Sequence, residues 1–436
     1  MDRHSNIESV VAGSFSLLPH SERQVLCKIG AFVGSFTLAD AAFVCNAPES
    51  EQIEWLSELK DNSLVQIQRD DSTTRYKLLD TVRDYLSRLP LEGALANELA
   101  DCRRRHAERY AGLSTEIGRL IAEGRWSAGT SAMMRDIGNI RIAISTANDL
   151  QRDDLIAAMV EGLARRFFEA GLLTDFRTLA NAGYAAAERT GNPAIRIQLL
   201  GLEGALASRQ GDEPRCEELW MERVELCRQA GDMKLCADAL IDLAWQAFEN
   251  QDPAKSRLRL IEALRLGRSA KDPIFIATVR VVQARIAFAS SNLRLARLRN
   301  SQAEHLLPQC AETNGSLFVC QLLAISCREL GDLERSVGFT VQLLRLSVER
   351  NQVIHAGWAL LELAPIYEQT DRLHLAARCY LGAMKVHAEY STRHRVRATA
   401  ALNQFKKKHQ EDDVAATLTT LRSQSWQEVV EGLTYV

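Results

Sequence analysis

The chain has 436 residues, of which 46% are hydrophobic and 25% are charged. This length is too great for one compact core and predicts two or three domains. A formal net charge of -3 excludes the global basic field that draws a protein to nucleic acid or to a membrane surface. No apolar run reaches the roughly 18 residues that span a bilayer, and no apolar signal core follows Met1–Asn6. We therefore expect a cytoplasmic protein.

Three short helices are predicted between residues 13 and 63. Pro19 is placed to begin the first, because its fixed φ suits an initial helical position. Thr37 and Asp40 have the spacing of a capping box at the start of the second helix. Ser50 is placed to cap the third helix. Apolar side chains at helical spacing are expected to face inward from this third helix: Ile53, Leu56 and Leu59.

Two β-prone runs follow, Leu64–Gln68 and Arg75–Leu79, on either side of the polar residues 70–73. Such runs around a polar turn predict a hairpin, and three helices followed by a hairpin form a winged helix. We therefore predict a winged-helix domain over residues 13–90, preceded by an N-terminal tail at residues 1–12. Asp80 is placed to cap a further helix, which Pro90 would end.

A repeat of forty residues dominates the later part of the chain. Turn-forming pairs such as Gly211-Asp212 and Gly331-Asp332 recur with this period, and further turns such as Gly231-Asp232 follow twenty residues later. Small residues are needed where two helices cross closely, so the pattern predicts stacked helix pairs. Two series of small residues have the same period: Gly204, Ala244, Ala284, Ala324 and Ala364, then Cys216, Ser256, Ala296, Ser336 and Ala376.

The predicted fold is mostly α-helical: an N-terminal winged helix followed by an α-solenoid of tetratricopeptide-like helix pairs with a period of about 40 residues. We expect a helical connector at residues 91–155, the solenoid at 156–392 and C-terminal capping helices at 393–436. A solenoid presents a long surface for a partner. Its function is therefore expected to be binding.

No motif in the sequence supports catalysis. The ten cysteines form no C-x-x-C pair, and Cys216 occupies one of the small helix-packing positions, so we expect buried free thiols. The nine histidines show no metal-ligand spacing, and no nucleophile motif such as G-x-S-x-G occurs. We therefore expect no enzyme activity, no cofactor and no metal.

The best candidate site is a groove on the inner surface of the solenoid, formed by the first helix of each pair. Tryptophan, phenylalanine and arginine are the residue types that anchor peptides, through aromatic area and forked hydrogen-bond donors. The same aromatic side chains could instead fill the core between repeats. Phasing from the small residues predicts six groove residues: Arg209, Trp245, Arg285, Phe288, Arg328 and Trp358.

The first 150 residues carry ordered motifs that resemble a known family: Ser14–Ala42, Asp61–Val65, Tyr76–Tyr85, Arg104–Tyr110 and Asp136–Ala143. They resemble the winged-helix segment that follows the nucleotide-binding module in bacterial STAND ATPases, signal-transduction ATPases with numerous domains. The repeats resemble the tetratricopeptide type that follows in such proteins. Many members are transcription regulators, so the resemblance implies a regulatory module with an ATPase domain, in cis or in trans, as one partner.

The chain departs from the family in two respects. It contains no G-x-x-x-x-G-K-[ST] loop to cradle a triphosphate. The triplet Leu78-Leu79-Asp80 stands where eukaryotic relatives carry Met-His-Asp, and Leu79 cannot donate a hydrogen bond to phosphate. The chain is therefore either the C-terminal part of a larger regulator or a remnant that works without ATP.

Three functions remain open from the sequence. The first is a regulatory sensor, with a protein, peptide or small-molecule effector on the solenoid; the second is a scaffold that bridges partners without a switch. The third is direct DNA binding by the winged helix. Its third helix disfavours DNA because it carries four carboxylates against the single Lys60: Glu51, Glu54, Glu58 and Asp61. Direct DNA contact and membrane contact are not expected.

Overall fold

A computed structural model describes residues 3–70, 73–89, 93–267, 272–310, 315–390, 392–409, 412–431 and 433. The fold is mostly α-helical, as the sequence predicts. The chain divides into two compact units. The first comprises residues 1–121, 128–164 and 177–190, and the second comprises residues 122–127, 165–176 and 191–436.

The elements before the repeats are, in chain order, α1 Arg3–Leu17, α2 His20–Ile29, β1 Ser35–Thr37, α3 Leu38–Cys45, α4 Glu49–Asp61, β2 Val65–Asp70, β3 Thr73–Leu78, α5 Asp80–Ser87, α6 Gly93–Ala122, α7 Trp126–Arg135, α8 Ile137–Asp149, α9 Asp153–Met159, a π-helix Val160–Ala164, α10 Arg165–Glu169 and α11 Leu173–Thr190.

The repeats and the C-terminal helices are α12 Pro193–Gln210, α13 Glu213–Gln229, α14 Met233–Glu249, α15 Pro253–Gly267, α16 Pro273–Ala289, α17 Leu293–Leu306, a 3-10 helix Leu307–Cys310, α18 Gly315–Glu329, α19 Leu333–Glu349, α20 Val353–Gln369, α21 Leu373–Tyr390, α22 Thr392–Lys408, α23 Asp412–Leu421 and α24 Trp426–Glu431.

Helices α2, α3 and α4 and three short strands form the winged helix. The sheet has the order β1-β3-β2 and is antiparallel throughout, with Tyr76 of β3 between Phe36 of β1 and Ile67 of β2. The hairpin is confirmed, although turn residues 71 and 72 lie outside the described residues, as does Pro90. Strand β1 is absent from the sequence prediction because three residues are too few to show an alternating pattern.

The helix caps of this domain confirm one prediction and correct two, and one residue expected in the core is exposed. The Thr37 hydroxyl accepts from the backbone N–H of Asp40, whose carboxylate accepts from that of Thr37, which completes the capping box. Helix α4 has Pro48 at its N-cap, so Ser50 is not the cap, and Ile53 faces solvent. Asp80 is the first residue of α5, after an N-cap at Leu79.

The segments on either side of the winged helix also pack in the first unit. Helix α1 covers most of the predicted tail, and Phe15 packs edge-on against Tyr85 at 5.5 Å between ring centroids. In the predicted connector, the Asn139 amide accepts from Val33 N at 2.7 Å and donates to Ser35 O at 3.0 Å. The finer boundaries at residues 12, 90, 155 and 392 remain predictions.

The family-like motif at 104–110 also makes contacts within this unit. The Arg105 side chain donates to the Val44 carbonyl at 2.8 Å, and Arg109 pairs with the buried Asp40 at 2.7 Å. His106 is buried, and its Nε2 lies 3.4 Å from Asn139 Oδ1. These basic residues therefore hold α6 against the winged helix.

The two predicted series of small residues are buried at the crossings of paired helices. The Ser336 hydroxyl donates to the Ala324 carbonyl at 2.8 Å, which joins the two series directly. Gly204 faces Trp220, whose indole N–H donates to Gly201 O at 3.2 Å. The nine cysteines whose side chains are described are free and buried, as predicted.

The predicted turns have left-handed backbone geometry, which glycine and asparagine adopt most readily. Where an Asp or Asn follows the turn, its side chain caps the next helix, as when the Asp212 carboxylate accepts from Arg215 N and that of Asp332 accepts from Arg335 N. Gln352, which follows Asn351, makes no such hydrogen bond. Lys271 of the predicted pair Lys271-Asp272 lies outside the described residues. The positive φ values are those of Gly211, Gly231, Gln251, Ser291, Gly331, Asn351 and Asp371.

Candidate binding surface on the helical repeats

The first helices of the pairs line the concave side of the second unit: α12, α14, α16, α18, α20 and α22. In the middle of the row the first helices contact one another, α14 with α16, α16 with α18 and α18 with α20, more extensively than the successive second helices do, which places the first helices at the smaller radius. Helix α12 also contacts α22, so the two ends of the row meet. The concave side is therefore enclosed by helices, and its charged residues are the candidate site.

Trp245 and Arg285 are the two predicted groove residues that the structure brings together. The Arg285 guanidinium lies 4.7 Å from the ring centroid of Trp245 and 4.7 Å from that of Phe248. It also pairs with Glu249 at 3.0 Å and with Glu329 at 2.7 Å. Arg285 is buried, so these contacts join α14, α16 and α18.

The other predicted groove residues on α16, α18 and α20 lie further along the repeats. Arg328 is exposed and pairs with the buried Glu362, which also pairs with Arg397 of α22 at 2.9 Å. Trp358 is buried in the core of the second unit. Phe288 is half-buried. Of these three, Arg328 has the most surface available to a ligand.

Arg209 lies at the end of α12, beside α10. Its guanidinium is 4.4 Å from the ring centroid of Phe168. Burial lowers the pKa of Arg209 to about 10, with Glu169 raising it and Arg165 lowering it further. Arg209 is half-buried, so part of its side chain remains accessible.

Two carboxylates on the same face of α14 were missed by the sequence prediction. Asp238, Asp242 and Trp245 follow one another at i, i+4 and i+7, so they form one stripe along the helix. Burial, and then the charge of Asp242, raise the pKa of Asp238 to about 6. The helical spacing from Trp245 is the signal that could have identified them.

Asp242 has a cationic partner. Arg223 of α13 lies 3.1 Å from its carboxylate. Burial raises the pKa of Asp242 although the charges of Arg223 and Arg165 oppose that effect. The pair Asp238 and Asp242 is thus an anionic position with incomplete charge compensation.

A histidine on α20 is a further polar side chain of the candidate site. His355 Nδ1 lies 3.1 Å from Gln321 Oε1 of α18. Burial, and then the charge of Arg209, lower the pKa of His355 to about 3. The imidazole is therefore neutral near pH 7 and can donate one hydrogen bond and accept another.

This surface can recognise charge and aromatic groups. The two aspartates offer acceptors to an ammonium or guanidinium group, and Arg209 offers a fork of donors to a carboxylate. Among the described residues no group of three histidine, cysteine or acidic side chains is placed to hold a metal ion. None of the described helices has the length and apolarity needed to cross a membrane.

The face of α4 that would approach DNA is acidic. The carboxylates of this face, at Glu51, Glu54, Glu58 and Asp61, are all exposed. Lys60, the cation on this helix, is paired with Asp61 at 2.8 Å. Phosphate groups would be repelled by this face.

Comparison of sequences finds partial likeness to regulators. No family model matches the chain. Proteins of Mycobacterium bovis and Mycobacterium tuberculosis, each named "putative HTH-type transcriptional regulator", are 29% identical over 174 residues. The match covers 35% of this chain and 18% of the relatives. The chain thus matches less than a fifth of their length.

Two solved structures show distant likeness. One is a STAND protein with a tetratricopeptide repeat sensor from Pyrococcus horikoshii, at 15% identity and a TM-score of 0.49, covering 97% of this chain and 63% of that one. The other is a Rap protein complexed with competence and sporulation factor, at 15% identity and a TM-score of 0.45, covering 75% of this chain and 89% of that one.

Proposed function

We propose that this chain is a non-catalytic regulatory module whose repeats bind a protein or peptide effector on their concave side. The observation that carries the proposal is the pair Asp238 and Asp242 beside Trp245. A carboxylate whose pKa rises to about 6 is destabilised in its charged form. Perturbed groups of this kind cluster at functional sites, and a ligand cation would stabilise the charged form.

The effector we propose is a peptide that carries both charges. Arg209 and Glu249 occupy equivalent positions in successive first helices. Glu249 lies eleven residues after Asp238 on α14, which corresponds to about 16 Å along the helix axis. An extended peptide of about five residues spans that length. A basic side chain would then bind at Asp238 and Asp242, and a carboxylate would bind near Arg209.

A peptide-display selection on the full chain tests this proposal. Wild-type protein is expected to enrich peptides that combine Lys or Arg with a carboxylate about five residues away. The double variant Asp238→Asn/Asp242→Asn is expected to bind the enriched peptides at least tenfold more weakly by calorimetry, which is about 1.4 kcal/mol. Glu225→Gln, at an exposed position on α13, is the matched control. Equal binding by all three proteins would refute the site, and a selection without enrichment would refute the function.

We propose further that the first unit docks against an ATPase domain, in cis or in trans, and that effector binding shifts this association. The matched relatives support the proposal because their name describes regulators and they are much longer than the matched segment. Reading the DNA upstream of this coding segment and in the adjacent genes tests it. A P-loop, G-x-x-x-x-G-K-[ST], is expected there. Its absence would favour a scaffold without a switch.

A further inference from the structure

A short segment that precedes the repeats packs inside the second unit. Residues 122–127 belong to the second unit, although the chain immediately before and after them belongs to the first. The segment contains the turn between α6 and α7, where Gly124 has a φ of 78°, a left-handed geometry that glycine adopts readily. Trp126 follows the turn as the first residue of α7 and is buried. The second unit thus includes an aromatic side chain that its repeats do not supply.

The indole of Trp126 contacts two arginines from different parts of the second unit. The Arg166 Cζ atom lies 5.2 Å from the ring centroid, and the Arg350 Cζ atom lies 4.9 Å from it. Both distances are within the range of a cation–π interaction, and both arginines are buried. We call Trp126, Arg166 and Arg350 the Trp126 bridge.

The two arginines lie at opposite ends of a run of four helix pairs. Arg166 is in α10, before the first pair, and Arg350 is the C-cap residue of α19, the last helix of the fourth pair. The pairs between them are α12–α13, α14–α15, α16–α17 and α18–α19. Trp126 therefore joins the two ends of this run.

Each arginine is also fixed to the helices at its own end. Arg166 pairs with Glu169 at 2.6 Å within α10, and α10 contacts α12 where the Arg209 guanidinium lies over the Phe168 ring. At the other end, Arg350 donates to Ser316 Oγ of α18 at 3.0 Å. A change at Trp126 is therefore expected to affect both ends of the run.

The aromatic face of Trp126 compensates for the burial of the arginines. A buried cation is unfavourable unless it has compensating partners, and burial lowers the pKa of Arg166 although the charge of Glu169 opposes this effect. The negative face of the indole attracts guanidinium groups most strongly where water is excluded. Without the ring, the two arginines would gain most from water if the ends of the run separated.

We propose that the Trp126 bridge holds the four helix pairs in a closed arrangement, and that its release opens their concave side to the effector. This inference rests on the proposed function, because it concerns the same surface. Asp238, Asp242 and Trp245 lie on α14, between the two ends that the bridge joins. When a ligand enters only open molecules, its observed association rate rises with the open fraction.

Hydrogen exchange of the full chain without ligand tests the closed arrangement. Trp126→Leu keeps an apolar side chain and removes the aromatic face, so it is expected to accelerate exchange in α10, α12 and α20 by about tenfold or more. Trp126→Phe keeps an aromatic face and should remain close to wild type. Arg125→Ala, at the exposed neighbouring position, is the matched control, and circular dichroism confirms that each variant folds.

Two outcomes of that experiment would overturn the proposal. The first is exchange in Trp126→Leu equal to that of wild type. The second is equal acceleration in Trp126→Leu and Trp126→Phe, since the aromatic face would then have no part in the closure. Neither outcome depends on a ligand, so the bridge can fail while the effector site stands.

Stopped-flow binding tests the control of access. The probe is the peptide that display selection enriches on wild-type protein, carrying a fluorescent label. Its association rate constant is expected to rise about tenfold or more in Trp126→Leu and to be unchanged in Arg125→Ala. An unchanged rate in Trp126→Leu together with accelerated exchange would overturn the control of access and leave the bridge a packing contact. A selection without enrichment refutes the effector site and, with it, this control, whatever the exchange shows.

Discussion

The Arg285 guanidinium lies over the indole of Trp245, 4.7 Å from its centroid, and thereby joins two helices that begin forty residues apart. Stacking on an aromatic face contributes about 0.5–2 kcal/mol. The same side chain also forms ion pairs with Glu249 and Glu329. Arg285 consequently links α14, α16 and α18 through one buried side chain.

Arg285→Ala is expected to lower the free energy of unfolding by about 2–3 kcal/mol, because it removes the stacking and leaves two carboxylates near each other. Urea unfolding followed by circular dichroism measures this change. Arg215→Ala is the control, since Arg215 and Glu218 form an exposed pair that should contribute less than about 0.5 kcal/mol. Equal losses in the two variants would contradict the structural role of Arg285.

Gly204→Ala is expected to destabilise the repeats by about 1–3 kcal/mol through overpacking, because a Cβ at this position would overlap the Trp220 indole. Gly338 in α19 is the matched control: it is helical and exposed, and nothing lies near the position of its Cβ. Gly338→Ala should stabilise by about 0.5–1 kcal/mol, the helix propensity difference. Urea midpoints report both changes. Similar shifts in the same direction would refute the close crossing at Gly204.

Asp238 should make stability fall as pH rises. Its folded pKa, about 6, lies above its ordinary value, so the folded state binds the proton more tightly than the unfolded state does. The stabilising contribution is present at low pH and is lost as pH rises through about 6. Asp238→Asn is expected to stabilise the protein near pH 8, because it removes the charge that burial disfavours. The expected gain is only about 1 kcal/mol, since solvent partly screens this half-buried carboxylate.

The measurement for Asp238 is the difference between wild type and Asp238→Asn in urea midpoint, taken from about pH 8 to about pH 5. The difference should shrink as pH falls. Taking a difference removes the opposite effect of the buried histidines, His355 and His387, whose pKa values are both lowered by burial to about 3. A difference that is constant with pH would contradict the assignment.

Arg75 and Asp136 should show strong energetic coupling. They are buried and lie 2.5 Å apart in the first unit. Arg75→Met and Asp136→Asn are each expected to cost about 3 kcal/mol or more, since each leaves a buried group without its partner. The double variant should cost clearly less than the sum. A double-mutant cycle measures the coupling, and the exposed pair Lys60 and Asp61 serves as the control with a coupling below about 1 kcal/mol.

The repeats could be predicted from the sequence because their constraints are local. A close crossing such as Gly204 on Trp220 excludes a larger side chain, and a left-handed turn such as Gly331 favours glycine. The capping box at Thr37 is likewise formed by residues three apart. Each of these constraints restricts the residue type at one position, so each is visible in the sequence.

The candidate site was harder to predict. Asp238 and Asp242 have the spacing of an ordinary solvated helix face, and only the contact of α12 with α22 shows that this side is enclosed.

An error of one position also has large consequences on a helix. Each residue advances about 100°, so Gln52 is buried on α4 and its neighbour Ile53 is exposed.

The contact between α12 and α22 has a consequence for cooperativity. In an open row of repeats each pair contacts only its neighbours, and the terminal pairs unfold most readily. Here α12, the first helix of the first pair, also contacts α22, the first helix of the last pair. Neither terminal pair can then unfold independently, and a destabilising substitution in one terminal pair should also destabilise the other. The row should therefore unfold as a single unit.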